Sequence, residues 1–208
     1  MKKLLFVALL LLSVSAVHAQ QRTKLPTADL NFISKPLGNA LLQRRSYREF
    51  DASKAISELQ LSTLLWAACG ISDEASGKIT APSAVNMQDI KVYVCTADGV
   101  SLYDAKTNTL IGVSGKDIRQ ALAAQQQNMK DAPLFLLLVS DQDNVQRKNE
   151  RWGLVDSGYV SQNIYLACTA MGLHTVARAM MDEKAVRQQL GLSETVLVLL
   201  NHPVGYGK

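Results

Sequence analysis

Residues 44–50, Arg-Arg-Ser-Tyr-Arg-Glu-Phe, put three guanidinium groups and a hydroxyl within five positions. Guanidinium forks meet the oxygens of a terminal phosphate in pairs, so Arg44, Arg45, Ser46 and Arg48 are candidate anion ligands. A second stretch, residues 81–90, reads Ala-Pro-Ser-Ala-Val-Asn-Met-Gln-Asp-Ile and sets a Pro82-Ser83 turn beside Asn86 and Gln88. Side-chain amides both donate and accept hydrogen bonds, which the pyrimidine edge of a flavin requires. Together the two stretches have the chemistry to hold flavin mononucleotide (FMN). By itself, the arginine cluster also fits a solvated face or helix-end charge.

Other chemistries lack their residues. The sequence offers no convincing Ser-His-Asp set, and Gly70, Gly77, Gly99 and Gly112 fit none of the nucleotide-loop patterns. Of three histidines, His18 falls in the leader, while His174 and His202 read as packing or surface residues rather than catalytic groups. Cys69, Cys95 and Cys168 sit in apolar surroundings at no zinc spacing, so buried free thiols are expected over a disulfide plus an orphan. Asp156 reads as a helix-start residue rather than a proton donor.

The elements that must carry these residues follow from periodicity. Residues 20–35 lack it and read as an N-terminal arm. Pro36 opens a short helix with Leu37, Ala40 and Leu41, whose end delivers Arg44 and Arg45. A second helix runs from about Ser57 to Gly70 with Leu61, Leu64, Leu65 and Ala68 on one face, and Trp66 reads as core. Residues 70–88 form a long loop, the kind that carries function. A β-meander follows, with an Asp98-Gly99 hairpin turn and a polar turn at 106–108. Ser114 with Asp117 predicts a capping-box start for a helix that Pro133 ends. Leu134 to Val139 is a strand covered on both faces. Beyond a charged loop at 141–151, residues 156–171 make a helix apolar nearly all round, expected to be buried, in part against a second subunit; Gly172 caps it. Residues 173–178 form a strand, 183–190 a short helix and 195–200 the last strand.

The first nineteen residues read as an export signal: Lys2-Lys3, an apolar run from Leu4 to Leu12, and a small-residue end at Val17-His18-Ala19. That run is well short of the ~20 residues that span a bilayer, so cleavage after Ala19 is expected over an uncleaved anchor, leaving no membrane span and an exported, periplasmic or secreted protein. Cleavage removes two lysines from a formal charge of +4, too small a balance to imply nucleic acid as a partner. A hydrophobic content of 48% supports one globular domain over residues 36–208.

In order along the chain, RRSYREF, PSAVNMQ, the DGVSLYD meander, DSGYVSQNIYLACTAMGL and the C-terminal HPVGYGK resemble the flavin-dependent nitroreductase family. The meander is most similar to that of its SagB/ThcOx-type branch, which includes azoline-oxidising enzymes of peptide maturation. The resemblance implies an α+β fold, a central and mostly antiparallel sheet wrapped by helices, working as a homodimer with FMN at the interface. It also implies that Arg44, Ser46 and Arg48, with Arg45 beside them, hold the FMN phosphate and ribityl chain. Pro82, Ser83, Asn86 and Gln88 correspond to the loop that meets the flavin, in this family partly from the opposite subunit. Lys208, after Gly205-Tyr206-Gly207, corresponds to a terminal basic position near the phosphate, and Ala177, Arg178 and Ala179 to the segment whose backbone amide faces flavin nitrogen 5. Many relatives carry Glu-Gly where this chain reads Arg178-Ala179. The chain stops at Lys208 without the longer tail by which many members embrace their partner, so a less entwined dimer is expected.

The implied activity is two-electron reduction of nitro-aromatic or quinone-like small-molecule acceptors in two half-reactions, with NAD(P)H as a candidate electron donor. The flavin itself carries the chemistry, so no catalytic side chain is expected. An azoline-type oxidase, an exported flavin-binding protein without turnover, and an interaction protein with relic motifs stay open. Export is in tension with a nicotinamide donor, which is scarce outside the cytoplasm.

Overall fold

A computed structural model describes residues 20–145 and 148–208; the leader expected at 1–19 and two residues of the loop at 141–151 lie outside them. The chain builds a seven-stranded sheet around β7 (Leu134–Ser140), the Leu-Phe-Leu-Leu-Leu-Val-Ser run read as a doubly covered strand. Every residue of β7 is buried. Leu136 and Leu138 point into one core with Leu64, Leu65 and Ile164, while Phe135, Leu137 and Val139 point into another with Phe50, Ile118, Leu122 and Val186. This is the two-residue alternation of a strand with helices on both sides.

On one flank of β7 lies the meander, β4 (Ile90–Thr96), β5 (Gly99–Asp104) and β6 (Thr109–Ser114). On the other lie β9 (Leu197–Gly205) and β8 (His174–Thr175). Every strand pair in the sheet is antiparallel. Helices α2 (Glu58–Cys69) and α4 (Glu150–Met171) cover one face, and α3 (Arg119–Ala123) and α5 (Glu183–Leu190) the other. The expected α+β architecture is the observed one. Helix α2 begins at a reciprocal Ser57–Gln60 capping box. Gly172 ends α4 in the left-handed conformation, its N–H bonded to Cys168 and Thr169 carbonyls.

Several elements differ from expectation. The arm contributes an edge strand, β1 (Arg22–Lys24), on β6, and a 3-10 turn at Leu30–Ile33, and Leu25 is buried between them. Their backbone bonds, not a periodic apolar face, order this segment. The loop after Gly70 contains a small hairpin of β2 (Ile71–Asp73) and β3 (Lys78–Ile79). The helix expected from Ser114 is only α3, because Ser114 completes β6 and Ala124 turns to positive φ, after which a 3-10 turn spans Gln127–Asp131. Helix α4 starts at an Asn149 cap, so Asp156 is not its first residue but lies buried well inside it. Only two residues of 173–178 pair as a strand, with one isolated bridge between Arg178 and Asn201.

Candidate functional site

Helix α1 (Leu37–Gln43) ends at Arg44, and the arginine segment then runs extended along the β8 edge. Tyr47 N–H donates to Thr175 O at 3.0 Å and Asp51 N–H to Tyr206 O at 2.8 Å, while Phe50, fully buried, anchors the segment in the core. Arg45 and Arg48 are exposed and Arg44 half-buried, its guanidinium 5.0 Å above the Tyr165 ring. Arg45 donates to the carbonyls of Leu42 and Arg44, and Arg48 to that of Ser46. Among the described residues none of these three arginines has a carboxylate partner. Burial, and then the nearby charge of Arg48, lower the pKa of Arg178. The segment therefore carries a net excess of positive charge, three arginines against Glu49, a setting an anion relieves.

The 177–179 segment lies next to it. Ala177 N–H donates to Tyr165 Oη at 2.9 Å and Arg178 N–H to Asn201 O at 2.9 Å; the exposed Ala179 amide meets no acceptor among the described residues. Arg178's side chain turns inward to Gln126, Asn201 and the Leu122 and Ala123 carbonyls, and its backbone N–H and carbonyl are both taken by Asn201, so the residue serves the fold. Gly205 is buried: a Cβ there would meet Pro133 at 2.7 Å and Phe50 at 3.4 Å. Its smallness lets the arginine segment pack on β9. Lys208 pairs with Asp131 at 2.9 Å, which pushes its pKa up.

The second stretch forms a 3-10 turn, Ala84–Asn86, with positive φ at Val85, Asn86 and Gln88. Ser83 Oγ accepts from Gln88 N–H, and Ala84 N–H donates to both carboxylate oxygens of Asp156. Gln88 Nε2 is bonded to Gly77 O and Asn86 Oδ1. Asn86 Nδ2 is thus left as a donor and Gln88 Oε1 as an acceptor, a complementary pair for a heterocycle edge. Beneath the turn, Asp156 and Asp89 are both 1% exposed. Burial and then the Asp89 carboxyl raise the pKa of Asp156, against the opposing pull of the Ala84 amide.

Within one protomer these two stretches hang from the same helix. Asp156 holds the 82–88 turn and Tyr165 holds Ser46, nine residues apart on α4. That spacing is about 13 Å and half a turn out of phase, so the two stretches lie on opposite faces of α4. The exposed apolar residues Leu154, Val155 and Tyr159 also lie on α4.

The family model for the nitroreductase family matches residues 41–206. The chain belongs to the nitroreductase family. Its members are oxidoreductases, and the similarity extends to a Methanocaldococcus jannaschii protein named as a nitroreductase, 30% identical over 182 residues, covering 81% of this chain and 90% of the relative. A Ralstonia eutropha structure described as a nitroreductase superposes with a TM-score of 0.80 at 28% identity, covering 90% of each chain. A chain of the Escherichia coli microcin synthetase McbBCD complex superposes with a TM-score of 0.70 at 17% identity, over 100% of this chain and 79% of that one. That last likeness is one of fold.

The residues missed by the sequence are those that hold others in place. Tyr165 sits inside an apolar helical run that reads as core, and Asp156 looks like a cap because its partner Ala84 is remote in sequence. Trp66 is half-buried, its indole N–H donating to Ile71 O. The cysteines are buried and free, and burial pushes the Cys69 thiol up to about 12 and raises Cys95 and Cys168 as well, leaving all three as inert packing.

Proposed function

We propose that this nitroreductase-family protein is an FMN-dependent two-electron oxidoreductase that works as a homodimer and reduces nitro-aromatic or quinone-like acceptors. The observation that carries the reading is the arginine segment: three guanidinium groups without carboxylate partners among the described residues, a serine hydroxyl between them and the Ala179 amide on the neighbouring segment. This donor set suits a phosphorylated ligand with an acceptor atom at its far end. FMN, when bound, accepts a hydride from a donor and returns two electrons to an acceptor.

In this reading Arg44, Arg45, Ser46 and Arg48 bind the phosphate, and the 82–88 turn of the partner subunit supplies Asn86 Nδ2 and Gln88 Oε1 chemistry to the pyrimidine edge. The opposite-face arrangement on α4 supports a site shared between protomers, and the exposed apolar face of that helix suits an interface. Lys208 adds positive charge once released from Asp131. Reduced nicotinamide is the donor to test first.

Purified protein should be yellow. Arg44→Ala with Arg48→Ala should abolish FMN retention while leaving the melting profile of the apoprotein in place; retention unchanged would sink the phosphate assignment. Anaerobic NADH or NADPH should bleach the flavin band. A flavin that stays oxidised under both points instead to the second reading, an azoline-type oxidase that takes electrons from its substrate, which the resemblance of the meander to the SagB/ThcOx-type branch favours. Flavin bound without turnover of any acceptor or azoline would leave a binding protein. The leader-like residues 1–19 add export to the proposal, tested by N-terminal sequencing of protein recovered from the periplasm or medium.

A further inference from the structure

Tyr165 is 9% exposed, yet its hydroxyl joins two segments far apart in sequence: Oη lies 2.8 Å from Ser46 Oγ and accepts from Ala177 N–H at 2.9 Å. The ring is fixed on two sides. The Arg44 guanidinium sits over its face at 5.0 Å, and the imidazole of His202 meets it edge-on, centroids 5.4 Å apart. His202 is itself fully buried and held by Ser161 Oγ at 2.9 Å and Thr175 Oγ1 at 3.1 Å. Thr175 in turn receives the Tyr47 N–H through its carbonyl. One phenol thus stands where the arginine segment, the 177–179 segment and the sheet edge meet.

The direction of the hydroxyl bond follows from proton counting. The Ala177 amide can only donate, so it occupies a lone pair of Tyr165 Oη. The phenol hydrogen then needs an acceptor, and Ser46 Oγ is its one candidate among the described residues. A phenol hydrogen turned elsewhere would meet no other acceptor among the described residues, a loss that Ser46 removes. With its oxygen accepting from Tyr165, Ser46 must aim its own hydrogen outward, alongside the arginine forks. A serine held as a donor matches a group that only accepts, such as a phosphate oxygen.

We propose that Tyr165 is a positioning residue that fixes Ser46 as a one-way donor to the phosphate of the bound flavin nucleotide, an inference that rests on the FMN reading above. Tyr165→Phe keeps the ring, and with it the Arg44 and His202 contacts, and removes only the hydroxyl. It should raise the Kd for FMN about 10-fold, as expected for loss of a charge-assisted hydrogen bond. The Kd for riboflavin, which lacks the phosphate, should not change. Ser46→Ala should give a similar loss, and the double variant should be no worse than either single one, because both remove the same donor.

Titration of the full-length protein and the three variants with FMN and with riboflavin, followed by flavin fluorescence, decides the matter. Unchanged FMN affinity in Tyr165→Phe, equal losses for FMN and riboflavin, or a double variant whose loss is the product of the singles would each overturn the inference while leaving the flavin reading standing. Failure of the unaltered protein to bind FMN would overturn both.

Discussion

The imidazole of His174 lies flat on the phenol of Tyr47, ring centroids 3.8 Å apart and planes 6° from parallel. Nδ1 of the same ring is 3.1 Å from Glu49 O, so it carries the hydrogen and donates. The ring also abuts Gly207, where a Cβ would collide with it. His174 therefore clamps the arginine segment and the C-terminal tail to β8 at once. His174→Ala should cost about 1–2 kcal/mol of stability, from the lost stack and hydrogen bond. It should also speed amide exchange at Tyr47 and Asp51 more than in the β7 core. Hydrogen exchange together with denaturant melts measures both effects.

Arg178 belongs to the segment expected to turn a backbone amide to the flavin, and its side chain is a structural strut. Its guanidinium satisfies the Leu122 and Ala123 carbonyls and the Asn201 and Gln126 side chains from a position only 6% exposed. Arg178→Ala should destabilise by about 3 kcal/mol or more, since several buried acceptors lose their donor together. Arg178→Lys should recover little, because an ammonium cannot reproduce the fork. A fall in the urea midpoint at constant slope is the expected signature.

His202 gives acid lability. Burial lowers its pKa to about 3, so the folded chain keeps it neutral while the unfolded chain takes up a proton near the ordinary value of 6.5. Its contribution to stability is whole above about pH 6.5 and is lost as pH falls from there toward 3, with a total of the order of 5 kcal/mol. His202→Asn should flatten the stability profile across that window, measured by denaturation at a series of pH values.

Asp156 acts in the opposite sense. Its pKa is raised by burial and then by Asp89, whose Oδ1 is buried without a partner among the described residues while Oδ2 accepts from Ser140. A proton bound more tightly by the folded chain stabilises it below the ordinary carboxylate range, and that contribution is lost as pH rises through the raised value. Asp156→Asn should remove this alkaline loss, and an amide oxygen can still accept from Ala84. The profile of melting temperature against pH, from the carboxylate range upward, should lose its downward limb in the variant.

Much of this protein was written in local pattern. The Leu-Phe-Leu-Leu-Leu-Val run could only be a strand covered on both faces, the Asp98-Gly99 turn and flanking alternation could only be a hairpin, and Ser57 with Gln60 set the start of α2. The three arginines and the polar 82–88 turn were legible as binding chemistry because side-chain type alone carries that information. Tertiary structure decided which of these residues meet. It turned Arg178 inward, gave Gly205 a packing role, drew the Ala84 amide onto a carboxylate seventy-two residues away and set Tyr165 between Ser46 and Ala177. The physical reason is that hydrogen-bond satisfaction in a buried space depends on which donors and acceptors the fold brings within about 3 Å. Periodicity along the chain records which face is buried and leaves the partner on that face unnamed.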